Sequence, residues 1–249
     1  MTQTLVPAVT RASAIMDLIA AQGAQRLGEI AKALDLPKSS VHGLCQTLCH
    51  LGLLHQNGEG FVIGAKALSW AQGFDRQSVL VQAFHQALAE RPALAPYTVT
   101  LSVRDGTDVL YIACRNADAP LGLTFRTGMR LPAVYTATGK AVLAHLSDAE
   151  LDRVTAVWPT PFTPYSVTDA TALRAQLATV RQARIGLDEG ELREGMVCLG
   201  AAILSPADEA LGGVAISMTA AECPAESRKR HAAALRDLAE AIRARIFGG

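Results

Sequence analysis

Ser39, His42, Gly43, Gln46, Thr47 and His50 recur at helical spacing, with Lys38 at the leading edge of the segment. At about 100° per residue they lie opposite an apolar stripe of Val41, Leu44, Cys45, Leu48 and Leu51. Glutamine can read an adenine edge, and serine or threonine any base. A cation at a helix N-terminus, where the N–H groups are free and the dipole is positive, suits phosphate. The face therefore fits a helix that reads DNA, or an ordinary solvated surface. His42, Cys45, Cys49 and His50 on the same segment are also metal-ligand types. Cys45 falls inside the apolar stripe, where cysteine acts as a small hydrophobe. His42 and Cys45 diverge by about 60° around the helix. Finger-type ligand spacing is missing, so no metal and no cofactor is expected.

The neighbouring elements favour DNA. Val9, Ala12, Ile15, Met16, Ile19 and Ala20 form a first helical stripe, broken by Gly23, and Leu27, Ile30, Ala31 and Leu34 a second. Pro37 cannot continue the second helix and suits the first turn of the third. A connection of about three residues makes the two helices cross steeply, as in a helix-turn-helix. After Gly52, the segments Leu53–Gln56 and Phe61–Ile63 flank Asn57-Gly58-Glu59-Gly60, a hairpin signal. Three helices followed by a hairpin describe a winged helix-turn-helix. Its wing lies on the sugar-phosphate backbone, and His55, Gln56 and Asn57 are candidates there. Arg11, Arg26, Lys38, Ser39, Ser40, His42, Gly43, Gln46, Thr47, His55 and Asn57 make up the expected DNA-contacting set.

Charge does not help this reading. Lysine plus arginine number 23 and aspartate plus glutamate 23. In the first 75 residues Arg11, Arg26, Lys32, Lys38 and Lys66 are offset by Asp17, Glu29, Asp35, Glu59 and Asp75. Half the residues are hydrophobic, enough for a substantial core. Five cysteines, an odd number, argue against a disulfide framework. No secretory signal and no apolar run of roughly 18 residues is visible, so a cytoplasmic protein without membrane contact is expected.

Residues 65–91 read as two helices joined near Gly73 and closed by Pro92 and Pro96. A boundary near residue 75 leaves 1–75 as the DNA-binding part with the start of a linker helix. Residues 76–249 follow as a second part. There, Val99, Leu101 and Val103 alternate with Thr98, Thr100 and Ser102, the pattern of a half-buried strand. Asp105-Gly106 turns it into a second strand, Val109–Arg115, and Leu121–Phe125 suggests a third. Helices are expected at Thr136–His145, Ala149–Val157 and Asp169–Arg184, with Asp169 capping the last if it starts one residue later. Strands Ile185–Glu189, Met196–Leu204 and Leu211–Thr219 precede a terminal helix with Leu235, Leu238, Ala239, Ile242 and Ile246 on one face. Strands and helices mix without strict alternation, so the class is α+β with a mainly antiparallel sheet. No G-x-S-x-G, H-E-x-x-H or G-x-G-x-x-G motif occurs. Gly139-Lys140 is followed by alanine, and reads as a helix start rather than a phosphate loop.

The chain resembles the IclR family of bacterial regulators. The N-terminal likeness lies in Ile30-Ala31-Lys32-Ala33-Leu34, Leu36-Pro37-Lys38-Ser39-Ser40-Val41-His42, Leu48 and Leu51-Gly52. The C-terminal likeness lies in Gly128-Met129-Arg130-Leu131-Pro132, Ala137-Thr138-Gly139-Lys140-Ala141, Asp188-Glu189-Gly190-Glu191, Gly195-Met196-Val197-Cys198 and Ala215-Ile216-Ser217-Met218-Thr219. The resemblance implies a homodimer or homotetramer bound to a palindromic, double-stranded operator as repressor or activator. It also implies a profilin-like or GAF-like domain holding a small metabolite, often an organic acid. The family's effector pocket would fall on Leu123, Leu131, Ala137, Thr138, Asp188, Met196, Cys198, Ser217 and Thr219. Ala137, Thr138 and Gly139, at a helix start, would also offer N–H groups to an anion. Gly43 departs from the family, whose members commonly carry arginine there. Tyr97, Tyr111, Phe125 and Tyr135 near these segments make an aromatic effector conceivable. Two other readings stay open: a small-molecule enzyme using Cys198 with His145 or Asp188, and a sensing or oligomerisation module that binds no DNA.

Overall fold

The computed structural model describes residues 6–118 and 121–248. The chain divides into two compact units, Met1–Gln77 and Ser78–Gly249.

In the first unit α1 (Pro7–Gln22), α2 (Leu27–Ala33) and α3 (Lys38–His50) precede a hairpin of β1 (Leu54–Gln56) and β2 (Phe61–Ile63), then α4 (Lys66–Gln77). Ile15, Ile19, Ile30, Val41, Cys45, Leu48, Leu54 and Phe61 form one small core. Helices α2 and α3, of 7 and 13 residues, are too short to hold alone, so this shared core fixes the angle at which α3 is presented. Three expected core residues lie outside it: Ala20 is exposed, and Val9 is 66% and Leu51 54% exposed. Leu51 falls past the end of α3, where Gly52 takes a left-handed φ of 73° and turns the chain. Pro37 is the N-cap of α3 (φ −58°, ψ 135°), one position before the helical turn expected for it. The α2–α3 turn is closed by Asp35 at φ 49°, a left-handed conformation that aspartate tolerates better than most side chains. The break expected at Gly73 is not there: Gly73 lies inside α4, and α5 (Val79–Ala89) starts after Ser78, whose hydroxyl accepts the Val81 N–H. A local hydrogen bond at an N-cap outweighs one glycine's helix penalty.

In the second unit a six-stranded sheet runs in the order β5-β4-β3-β8-β7-β6, every neighbouring pair antiparallel. The strands are β3 (Thr98–Asp105), β4 (Asp108–Arg115), β5 (Arg130–Pro132), β6 (Gly186–Glu189), β7 (Met196–Leu204) and β8 (Ala210–Thr219). One face packs on α5 and α9 (Ala225–Phe247) through Val81, Phe84, Leu101, Ile216, Leu235 and Ile242. The other carries α6 (Ala137–Leu143), α7 (Asp148–Thr155) and α8 (Ala170–Ala183), with Tyr111, Leu143, Leu173, Leu177 and Met196 in its core. Asp169 caps α8 by accepting the Ala172 N–H.

Two strand expectations change. The first strand is not half-buried: Thr98, Thr100 and Ser102 are buried as completely as Val99 and Leu101, because the face they line is itself covered. Leu121–Phe125 forms no strand; Gly122 turns at φ 70°, and the Phe125 carbonyl accepts from the Cys114 thiol and the Asn116 amide instead of a ladder partner. The edge position beside β4 is filled by Arg130–Pro132.

Candidate DNA-reading face and buried effector site

Lys38, Ser39, His42, Gly43, Gln46 and Thr47 are exposed along α3, and Ser40 is half-buried. His42 and Gln46, one turn apart, line a groove with Arg26, Gln56, Asn57, Gly58 and Glu59. Helix α3 and the hairpin thus share one concave surface. The wing is pinned to the α1–α2 connection by paired hydrogen bonds between Gln25 and Phe61, of 3.1 and 2.8 Å. A Cβ at Gly60 would sit 2.5 Å from the Gln25 carbonyl oxygen, so the close approach needs glycine. No side chain caps α3, and its leading N–H groups can face an external acceptor. Arg11 on α1 and His55 on β1 are exposed but do not line the groove.

Three details were not visible in sequence. Thr47 donates its hydroxyl to the Gly43 carbonyl at 2.9 Å, so that donor is already committed. Asn57 accepts the Glu59 and Gly60 N–H groups through Oδ1 at 2.9 and 3.1 Å, leaving only its amide NH₂ for a phosphate. Glu59 adds a negative charge to the groove.

In the second unit the strand register lines up Asp188, Cys198, Ser217 and Thr98 across four strands. All four are buried, Asp188 completely. Asp188 Oδ1 accepts the Glu191 and Leu192 N–H groups at 2.7 and 3.4 Å, while Oδ2 is buried with no hydrogen-bond partner. Burial pushes the Asp188 carboxyl up from 3.8 to about 7, against the pull of the Glu191 N–H and the Lys140 charge. Burial, and then Asp188, push the Cys198 thiol well above its ordinary value. Tyr111 is raised by burial and by the same two neighbours, with a hydrogen bond to Thr138 opposing. Thr138 in turn accepts from the Ser102 hydroxyl at 2.9 Å.

Glycines let α6 reach this face. A Cβ at Gly200 or Gly186 would overlap the Ala137 carbonyl group, and one at Gly213 would lie 3.2 Å from Thr138 Cβ. The expectation of an open N–H at Gly139 is not met. That N–H donates to Thr136 Oγ1 at 2.9 Å, and the position has no room for a side chain against the Ala133 carbonyl. Leu131 and Met196 are buried in the α6-side core, and Leu123 packs half-buried against it. Thr219 is half-buried and spends its hydroxyl on Glu222 Oε2 at 2.8 Å. A cleft of about 720 Å³ lined by Lys140, Tyr165, Gln176, Glu191 and Arg228 contains only Met196 of the expected effector residues.

Sequence reading missed a buried ion pair. Lys140, 1% exposed, donates to Glu191 Oε1 and, at 3.0 Å, to the Leu187 carbonyl. Glu191 Oε2 accepts the Val167 N–H at 3.1 Å. A lysine whose helical neighbours are all small or apolar was the available signal. Asp188 lies opposite Cys198, but the thiol is buried with its pKa raised, whereas a reactive cysteine needs a thiolate. His145 lines a different cleft, with Arg184, Asp208, Arg236 and Arg243.

A family model described as the bacterial transcriptional regulator IclR C-terminal domain matches residues 77–244, and one described as the IclR helix-turn-helix domain matches residues 8–58. The HTH-type transcriptional regulator BhcR of Paracoccus denitrificans is 30% identical over 215 residues, 85% of this chain and 77% of that protein. The repressor BlcR of Agobacterium tumefaciens has a solved structure that is 42% identical, with TM-score 0.64 and 98% of each chain covered. An IclR homolog from Microbacterium hydrocarbonoxydans, solved with 4-hydroxybenzoate, shares the fold at TM-score 0.82 and 18% identity, covering 97% of this chain and all (100%) of that one. Among the described residues, no helix is long and apolar enough to cross a membrane.

Proposed function

The chain belongs to the IclR family and is a DNA-binding transcriptional regulator; from that premise we propose that α3 and the wing read the operator while a small organic acid, aliphatic or aromatic, occupies the polar face around Asp188. DNA contact is assigned to residues 1–75, and effector binding and oligomerisation to residues 76–249. The chain acts as a homodimer or homotetramer on a palindromic site whose half-sites match the spacing of its recognition helices. The observation that carries the effector assignment is Asp188 Oδ2, a buried acceptor with no partner beside Cys198, Ser217 and Tyr111. Leaving such a group unpaired is costly. A ligand hydroxyl or a protonated carboxyl would satisfy it. The likeness to BlcR, described as a repressor, supports a repressor role. Effector control then amounts to a coupling free energy between two sites.

A thermal-shift screen of small aliphatic and aromatic acids tests this, since a ligand that binds the native state raises the melting temperature. A hit should lower operator affinity in the wild type, and Asp188→Asn or Ser217→Ala should blunt both responses. If ligands bind equally well to both variants, the effector site lies elsewhere.

A further inference from the structure

Gly43 stands in the interior of α3 (Lys38–His50), is exposed, and does not adopt a positive φ. After proline, glycine is the least favourable residue in a helix interior, because it has the most backbone freedom to lose. Some other glycines of this unit have a visible reason, whereas Gly28, Gly58 and Gly73 do not. A Cβ at Gly60 or Gly64 would run into backbone, and Gly52 needs its left-handed φ of 73°. At Gly43 a Cβ would meet nothing within 4 Å. Nothing among the described residues requires the glycine, and α3 would be more stable with alanine.

The position lies on the outward face of α3, beside His42 and Gln46, which line the groove shared with the wing; Gly43 itself is outside that lining. We propose that Gly43 sets the approach distance of α3 to DNA: without a Cβ, the helix backbone seats against a base-pair edge in the major groove, and this brings His42 and Gln46 within reach of the bases. The glycine trades helix stability for depth of insertion. This rests on the reading that α3 is the recognition helix.

The test compares wild type, Gly43→Ala, Gln46→Ala and Gly28→Ala in the full-length protein. Gly28 is an exposed glycine on α2 that also has open space around its Cβ position. Gly43→Ala should raise the melting temperature by about 2 °C or more and weaken operator binding about tenfold or more, with little change on scrambled duplex. Gly28→Ala should leave operator binding unchanged. Gly43→Ala with wild-type operator affinity would overturn the proposal, and so would a variant that loses stability and affinity together. If Gln46→Ala also leaves binding intact, the assignment of α3 as the reading helix fails with it. If Gln46→Ala weakens binding and Gly43→Ala does not, only the role of Gly43 is lost.

Discussion

Replacing Asp188 with asparagine should make the second unit more stable at neutral and alkaline pH. The carboxyl moves from 3.8 to about 7 on folding, mainly through burial. Between these values the folded chain holds a proton that the unfolded chain releases. The folded state then binds more protons, so stability falls as pH rises through the window and levels off above about pH 7. A shift of roughly three units at about 1.4 kcal/mol each corresponds to ~4 kcal/mol. Asparagine keeps the Oδ1 acceptor for the Glu191 and Leu192 N–H groups and has no charge to bury. The variant should match the wild type near pH 4 and exceed it by as much as ~4 kcal/mol at pH 8. Urea unfolding at fixed protein concentration measures this, followed by Trp158 in a Trp70→Phe background, the two tryptophans of the chain. The difference between the wild-type and Asp188→Asn curves isolates this carboxyl from the groups the two proteins share. A difference that stays flat from pH 5 to 8, or grows with falling pH, would refute the assignment of a raised, desolvated carboxyl.

Lys140→Ala should cost about 3–5 kcal/mol, because it leaves Glu191 charged and unpaired in the core; the double change Lys140→Met with Glu191→Leu should recover most of the loss in the same unfolding assay. Gly200→Ala should destabilise by about 1–3 kcal/mol, since its Cβ would overlap the Ala137 carbonyl group, and thermal unfolding beside the wild type checks it.

The N-terminal unit was the more legible in sequence because its signals are local. Stripes at i, i+3, i+4 and i+7 placed Ile15, Ile30, Val41 and Leu48 in the core, and an Asn-Gly segment placed the wing. The misses came from competing interactions. Ser78, by capping α5, set a break that glycine content put at Gly73. Phe125 gave its carbonyl to side chains, so the apolar run before it stayed out of the sheet. The face around Asp188 was harder to read because register builds it. Asp188 and Thr98 come into one row, with β7 and β8 between them, only after four strands align. Lys140 and Glu191 pair across 51 positions of sequence. Nothing local revealed that the second face of β3 would be covered, or that Thr136 would take the Gly139 N–H. The family wording marked these segments, and the register shows how they become neighbours.

The most direct test of DNA reading by α3 is a salt-titrated binding isotherm of the full-length chain on its operator, found upstream of its own gene or selected from random duplexes. Log K should fall linearly with log salt, at about 0.9 per phosphate contacted. Lys38→Ala should weaken every sequence alike and reduce that slope by about one. Gln46→Ala should erode discrimination between operator and scrambled duplex by about 1–3 kcal/mol. Binding without sequence preference, or two variants indistinguishable from wild type, would contradict the claim that the outward face of α3 reads DNA.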